Sequence, residues 1–223
     1  MHTSPSFARI ERPANIYGSY GKNVDGVLKP GLVHVLKPTI LDKFVENTRS
    51  GVPVKKSIWF FKKEEDICDV NDYLCECLPD LAADPSTCPW AVNFSSVGPA
   101  TALSIRNREK EITLYLTTSV MLMGIDLADI QIIGMVRPFS TIHIIVQACG
   151  RGGRNTGDDL RQKVVFYLVY NRSDIGENTN VTPSVRDFCL TENCLKKTMM
   201  DFFGTSGSWG DVWCCSNCDL NNT

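Results

Sequence analysis

No apolar run in this chain of 223 residues reaches the roughly 20 residues needed to cross a bilayer. The first residues, Met1-His2-Thr3-Ser4-Pro5, also lack the apolar stretch of an export signal. The expectation is an intracellular chain with no membrane partner. Excess positive charge is missing too: the net charge is -2, so any contact with nucleic acid must be local rather than spread over a basic surface. The phosphate-cradling pattern G-x-x-x-x-G-K-[ST] is absent. Its nearest approach, Gly18-Ser19-Tyr20-Gly21-Lys22-Asn23, has the wrong glycine spacing and no hydroxyl residue after the lysine. No D-E-x-H box for magnesium occurs either. By itself, a chain without these motifs has nothing to cradle the α/β-phosphates of a nucleotide. Internal repeats, heptads and low-complexity tracts are lacking as well.

What is present is ordinary for a globular protein: 43% hydrophobic and 22% charged residues. Residues 1–50 alternate short apolar pieces with proline and glycine, which predicts loops and edge strands. Ser57 to Phe61 is a compact apolar run between lysine pairs and predicts a buried parallel strand. From Glu64 to Leu78 the apolar positions Ile67, Val70, Leu74 and Leu78 follow helical spacing, with acids in the first turn. Further strands are expected at Ile112 to Leu116, Ile130 to Val136 and Val164 to Tyr170, with Ser140 capping a helix between the last two. Strand alternating with helix predicts an α/β layered domain on a mostly parallel sheet, its functional loops at the carboxyl ends of the strands. Asn171 to Asn180 is a polar linker, Thr182-Pro183 starts a helix, and Cys194 to Gly204 is an amphipathic helix with a glycine stop.

Two segments carry chemistry. Gln147-Ala148-Cys149-Gly150-Arg151-Gly152-Gly153-Arg154 sets two arginines one helical turn apart among glycines, which permit close approach of another surface. Each guanidinium presents a planar fork of donors that matches phosphoryl oxygens and stays charged at physiological pH. The alternative is a solvated loop paired with Asp158 and Asp159. Upstream, Thr117-Thr118-Ser119-Val120-Met121-Leu122-Met123-Gly124-Ile125-Asp126 follows a strand and reads as a strand-end loop.

T-T-S-x-x-x-M-G-I-D followed by P-F-S-T-I-x-x-x-V-Q-x-x-G-R-G-G-R resembles motifs V and VI of superfamily 2 helicases, and the RecQ family in detail. Arg12-Pro13-Ala14-Asn15-Ile16-Tyr17 is similar to the opening of the second RecA-like domain of that family. The resemblance implies a RecA-like parallel sheet flanked by helices over residues 1–172 and a small helical zinc-binding subdomain over 173–223. It implies that Arg151 and Arg154 act as arginine fingers, with Gln147 orienting water or sensing the γ-phosphate. Gly124, Asp126 and Gly150 would lie on the nucleotide side, while Thr118 and Ser119 would hold a DNA phosphate. ATP and Mg²⁺ would be held by a first RecA-like domain, in cis or in trans, that this chain lacks. Single-stranded or forked DNA, a nuclear location and 3′ to 5′ movement also follow from the family, as does inactivity of this half alone. The rival readings are a non-catalytic nucleic-acid-binding module and a truncated gene product.

Ten cysteines in a chain without an export signal are expected to be mostly reduced. Cys194 and the Cys214-Cys215-x-x-Cys218 knuckle supply four thiolates, the set a tetrahedral Zn²⁺ ion prefers. The spacing, with F-F-G between its parts, resembles the RecQ zinc subdomain, and Cys189 or Asp219 is the alternative to Cys214. Cys68, Cys75, Cys77, Cys88 and Cys149 show no ligand spacing and are expected to be buried free thiols.

Overall fold

The computed structural model describes residues 9–11, 32–96, 99–122, 127–153, 164–204 and 215–220. Among these residues six strands form one sheet in the order β1-β6-β5-β2-β4-β3, every pairing parallel. They are β1 (Arg9–Glu11), β2 (Ser57–Phe61), β3 (Trp90–Asn93), β4 (Leu114–Thr117), β5 (Ile132–Val136) and β6 (Val165–Val169). All five residues of β2 are buried, because a central parallel strand is covered on both faces. Ile58 and Phe60 enter one core, whereas Trp59 and Phe61 enter the other.

The core around Trp59 and Phe61 is closed by α1 (Leu32–Leu36), α2 (Asp42–Ser50), α3 (Glu64–Cys77) and α4 (Pro79–Ala82). The opposite core is closed by α5 (Pro99–Asn107), α6 (Ile142–Cys149), α7 (Pro183–Leu190) and α8 (Leu195–Phe202), with the short α9 (Ser216–Leu220) behind Cys215. This is the RecA-like α/β architecture expected from the sequence. Among the described residues no helix is long and apolar enough to cross a membrane.

At one level of the sheet Trp59, Gly134 and Tyr167 stand side by side on β2, β5 and β6. The indole lies over Gly134 and stacks on Tyr167, with ring centroids 6.2 Å apart. A Cβ at position 134 would fall inside the indole. Gly134→Ala is therefore expected to lower the unfolding free energy by about 3 kcal/mol, as overpacking in a close-packed interior does. Urea unfolding of Gly134→Ala and Gly134→Ala/Trp59→Phe measures it. The double variant should recover part of the loss, since the smaller ring vacates the space and removes an indole N–H that finds no acceptor among the described residues.

Several local expectations are corrected. The segment expected to be loops and edge strands is helical from Leu32 to Ser50, although β1 is an edge strand as expected. Leu32, Leu36, Leu41, Phe44 and Val45 share a buried face, and Pro38 is accommodated by a π-helical turn over Lys37–Leu41. The expected polar linker is tied down over Arg172–Ile175 by a capping box: Asp174 N–H donates to Asn171 Oδ1 at 3.1 Å, and Asn171 N–H to Asp174 Oδ2 at 2.9 Å. The N-cap of α6 is Thr141, without a side-chain bond, in place of Ser140. Cys68 is exposed and Cys75, Cys77 and Cys88 are half-buried, so of the five cysteines expected in the interior only Cys149 lies there.

Candidate functional site

Strand β4 delivers Thr117 and Thr118 to the carboxyl end of the sheet. Thr117 is buried, and its hydroxyl donates to the Thr118 carbonyl at 3.0 Å. Thr118 N–H donates to the Asn93 carbonyl at the end of β3, 3.3 Å away. The chain then turns through a 3-10 segment, Ser119–Leu122, on which Ser119 is exposed. At the neighbouring strand ends the hydroxyls of Ser95 and Ser96 donate to the Glu64 carboxylate at 2.9 and 3.1 Å. Thr118 and Ser119 thus stand among hydroxyls at the edge where parallel sheets receive ligands. Gly124 and Asp126 lie outside the described residues.

Helix α6 packs beside this 3-10 segment and runs back along β5, so it carries the glycine-arginine turn to the opposite, amino end of the strands. A helix following a parallel strand returns the chain, so this turn lies away from the carboxyl ends where the functional loops were expected. Gln147 is exposed on α6, and Arg151, in the turn after its last residue, is half-buried. The turn is fixed from within: Gly150 N–H donates to Val146 O at 2.9 Å, Arg151 N–H to Ala148 O at 3.0 Å and Gly153 N–H to Ile130 O at 3.0 Å.

Its glycines are needed by the chain's own packing. Gly153 has φ +69°, a left-handed conformation. A Cβ on Gly152 would collide with Val164 and meet Ile133 at 2.9 Å. The surface approaching Gly152 closely is this core, a correction to the expectation of an external one. Arg154 lies outside the described residues.

Sequence reasoning passed over Arg137, which ends β5 with φ +62°. Its guanidinium donates to Asp66 at the start of α3 (2.8 and 3.3 Å) and to Asp174 of the capping box (2.8 Å). Side-chain exposures are 16%, 10% and 7%, so one guanidinium serves two carboxylates largely out of water. Burial works against the charged guanidinium, but the two carboxylates hold its pKa above the ordinary value. Nothing local in the sequence marks this network, since Asp66 lies 71 positions before Arg137 and Asp174 37 after it.

The cysteines expected to bind metal converge. The sulfurs of Cys194, Cys215 and Cys218 all lie within 4.8 Å of one another, with Cys215 Sγ 4.0 Å from Cys194 Sγ and 3.5 Å from Cys218 Sγ. Cys194 caps α8 and accepts from Lys197 N–H at 3.4 Å. Cys215 immediately precedes α9. Asn217 in the first turn of α9 donates to the carbonyls of Thr191 (3.0 Å) and Asn193 (2.7 Å), which holds the knuckle against the loop before α8.

Burial pushes the Cys215 thiol up, yet the backbone N–H groups of Cys218 and Leu195, with the neighbouring thiols, bring it below its ordinary value. Cys218 is pushed up to about 11 by burial and by the adjacent thiols. The three sulfurs form a group that could hold a metal ion. Cys189 is buried, and Cys214 lies outside the described residues. The aromatic rings of Phe202 and Phe203 rest edge-on against His143 of α6 at 5.5 and 5.3 Å, joining the cysteine region to the helix of the arginine turn.

No family model and no curated protein matches the chain. Solved structures do. One is Mycobacterium smegmatis helicase Lhr bound to ssDNA and AMP-PNP, with a TM-score of 0.51 and 14% identity over 77% of this chain and 20% of that one. Another is S. cerevisiae Dbp5 bound to RNA and ADP BeF3, with a TM-score of 0.50 and 11% identity over 92% of this chain and 41% of that one. At such identities the likeness is one of fold. The chain spans less than half the length of either protein.

Proposed function

We propose that this chain is the second RecA-like lobe and the zinc subdomain of a RecQ-type superfamily 2 DNA helicase, a nuclear enzyme moving 3′ to 5′ on single-stranded or forked DNA. The observation that carries the reading is the continuity of α6. One helix sits beside the Thr118-Ser119 segment, presents Gln147 to solvent and ends in the Arg151 turn. A nucleic-acid contact and a nucleotide contact are thereby coupled through one rigid element.

In this reading Thr118 and Ser119 hold backbone phosphates and position the strand without reading its sequence. Arg151 and Arg154 offer guanidinium groups to the γ-phosphoryl of ATP, with Gln147 beside them and Gly150 setting the turn. Gly124 and Asp126 complete the nucleotide side. ATP and Mg²⁺ belong to a first RecA-like domain outside this sequence, so the chain alone does not hydrolyse ATP.

Zinc is the metal the cysteine site fits. A tetrahedral ion with Zn–S bonds of ~2.3 Å sets sulfurs about 3.8 Å apart, and the separations of Cys215 Sγ from Cys194 Sγ and Cys218 Sγ, 4.0 and 3.5 Å, bracket that spacing. Cys194, Cys215 and Cys218 would hold it with Cys214 as the fourth ligand. The ion would supply folding free energy in place of chemistry. Metal analysis should give one zinc per chain. Cys215→Ser should lose it and lower the melting temperature, and a full metal content in that variant would remove the site.

Fluorescence anisotropy with a labelled single-stranded oligonucleotide tests the DNA assignment. Affinity should fall steeply with salt, and Thr118→Ala/Ser119→Ala should weaken binding about tenfold whatever the base sequence. Binding that ignores both salt and the substitutions would rule it out.

A further inference from the structure

Among the described residues no strand pairs with the outer side of β3. Strand β3 is last in the strand order, and a cavity of about 300 Å³ opens beside it. Asn71, Cys75 and Ala82, from the helices on one face of the sheet, form one bank; Ser104 and Ile105 of α5, from the other face, form the second. The floor is the edge of β3 itself.

In β3 the carbonyls of Pro89 and Asn93 accept from β4, which by the alternation of a parallel ladder turns the N–H and C=O of Trp90 and Val92 outward. The Trp90 carbonyl accepts the Cys88 thiol at 3.3 Å. Among the described residues nothing hydrogen-bonds to the outward groups of Val92. Exposed edges of this kind recruit further strands.

Charge says which strand. From Glu64 to Ile105 the sequence has eight acidic residues and no lysine, arginine or histidine, leaving the remainder of the chain net positive. Asp69, Asp72, Glu76, Asp80 and Asp84 are exposed along the α3–α4 bank. The cation in the cavity wall, Arg108, is already engaged by Glu111 (3.0 Å) and by the carbonyls of Cys88 (2.8 Å) and Pro85. We infer that the β3 edge is a docking site for an extended, lysine- or arginine-rich peptide segment of a partner protein. The segment pairs with the outward backbone of Val92 and sets its cations against the acidic bank. This side of β3 adjoins the Thr118-Ser119 turn at the strand's carboxyl end, and the acids along α3 and α4 favour a cationic peptide on it over nucleic acid.

The test uses the full chain and a fluorescein-labelled decapeptide of alternating lysine and valine. Two controls have equal length: one with glutamate for lysine, the other with proline for valine. The lysine-valine peptide should bind, weaken with added salt, and bind at least about tenfold more tightly than either control. Val92→Pro removes the outward donor at the cost of some packing by the half-buried valine, a change an edge strand tolerates, and should weaken binding about tenfold. Asp72→Lys/Glu76→Lys should weaken binding and flatten its salt dependence. Should Val92→Pro fail to melt cooperatively, the Val92 amide of the unsubstituted chain supplies the readout: its hydrogen exchange should slow on adding the peptide. Equal binding of the lysine-proline control, unchanged exchange at Val92, or occupation of this edge by a second copy of the chain in sedimentation would each overturn the inference.

Discussion

Arg151→Ala is expected to lower DNA-stimulated ATP hydrolysis by about 10³-fold or more in a fusion of this chain to a first RecA-like lobe, with little change in KM for ATP, if the proposed role holds. The figure is that of an arginine finger, which acts on charge that develops only as the γ-phosphoryl group transfers. Two features locate the effect in the rate. The turn holding Arg151 is fixed by backbone bonds from Gly150, Arg151 and Gly153, none of which involves the guanidinium. The side chain is half-buried, which leaves part of it open to a neighbouring lobe. Arg151→Lys should recover little, because an ammonium lacks the planar fork. Arg154→Ala should reduce the rate similarly. If each variant melts like the parent chain and turns over ATP at the parent rate, the arginines have another role.

Arg137→Ala should cost about 3–5 kcal/mol of stability, the penalty for leaving buried carboxylates without their counter-ion. Asp66 and Asp174 would both lose the guanidinium, Asp174 keeping its bond from Asn171 N–H, which would loosen the start of α3 and the turn after β6 together. Arg137→Gly makes the argument sharper. It removes the same ion pairs but relieves the left-handed φ of +62°, so it should be more stable than Arg137→Ala by ~1 kcal/mol. Arg137→Met with Asp66→Asn and Asp174→Asn should also exceed Arg137→Ala, since no uncompensated charge remains. The raised guanidinium pKa means the stabilisation is complete below arginine's ordinary pKa and is lost only as pH rises beyond it. It should therefore add no slope to stability across the physiological range. Chemical unfolding of the four chains decides; equal stability of Arg137→Ala and the parent would show the network to be idle.

How far the sequence carried the fold depended on the kind of signal each segment had. The run Ser57 to Phe61 and the spacing of Ile67, Val70 and Leu74 announced β2 and α3, because burial on two faces and on one stripe leaves distinct patterns. Strand β3 was not anticipated: four residues between Pro89 and Phe94 are too short to show a period. The helices from Leu32 to Ser50 were hidden by Pro38, a reliable helix breaker except where a π turn takes up the missing bond. At the site, Thr118, Ser119, Gln147 and Arg151 were legible as motifs. Their arrangement at opposite ends of the sheet was not, since it depends on α6 running antiparallel to β5. Cys215-x-x-Cys218 was legible as a short-spaced pair, and the structure brings Cys194, 21 positions earlier, into one group of sulfurs with them that could hold a metal ion. The Arg137 network joins residues up to 71 positions apart, and nothing local marks such a triad.

The central claim is that this lobe completes a nucleotide site held by another. Steady-state ATP hydrolysis tests it most directly, measured with single-stranded DNA for the chain alone, a first RecA-like lobe alone, and the two joined by a flexible linker. The account predicts no hydrolysis from the chain, at most a weak rate from the other lobe, and a DNA-dependent rate orders of magnitude higher from the fusion. A folded, zinc-loaded fusion that hydrolyses ATP no faster than the first lobe alone would contradict it.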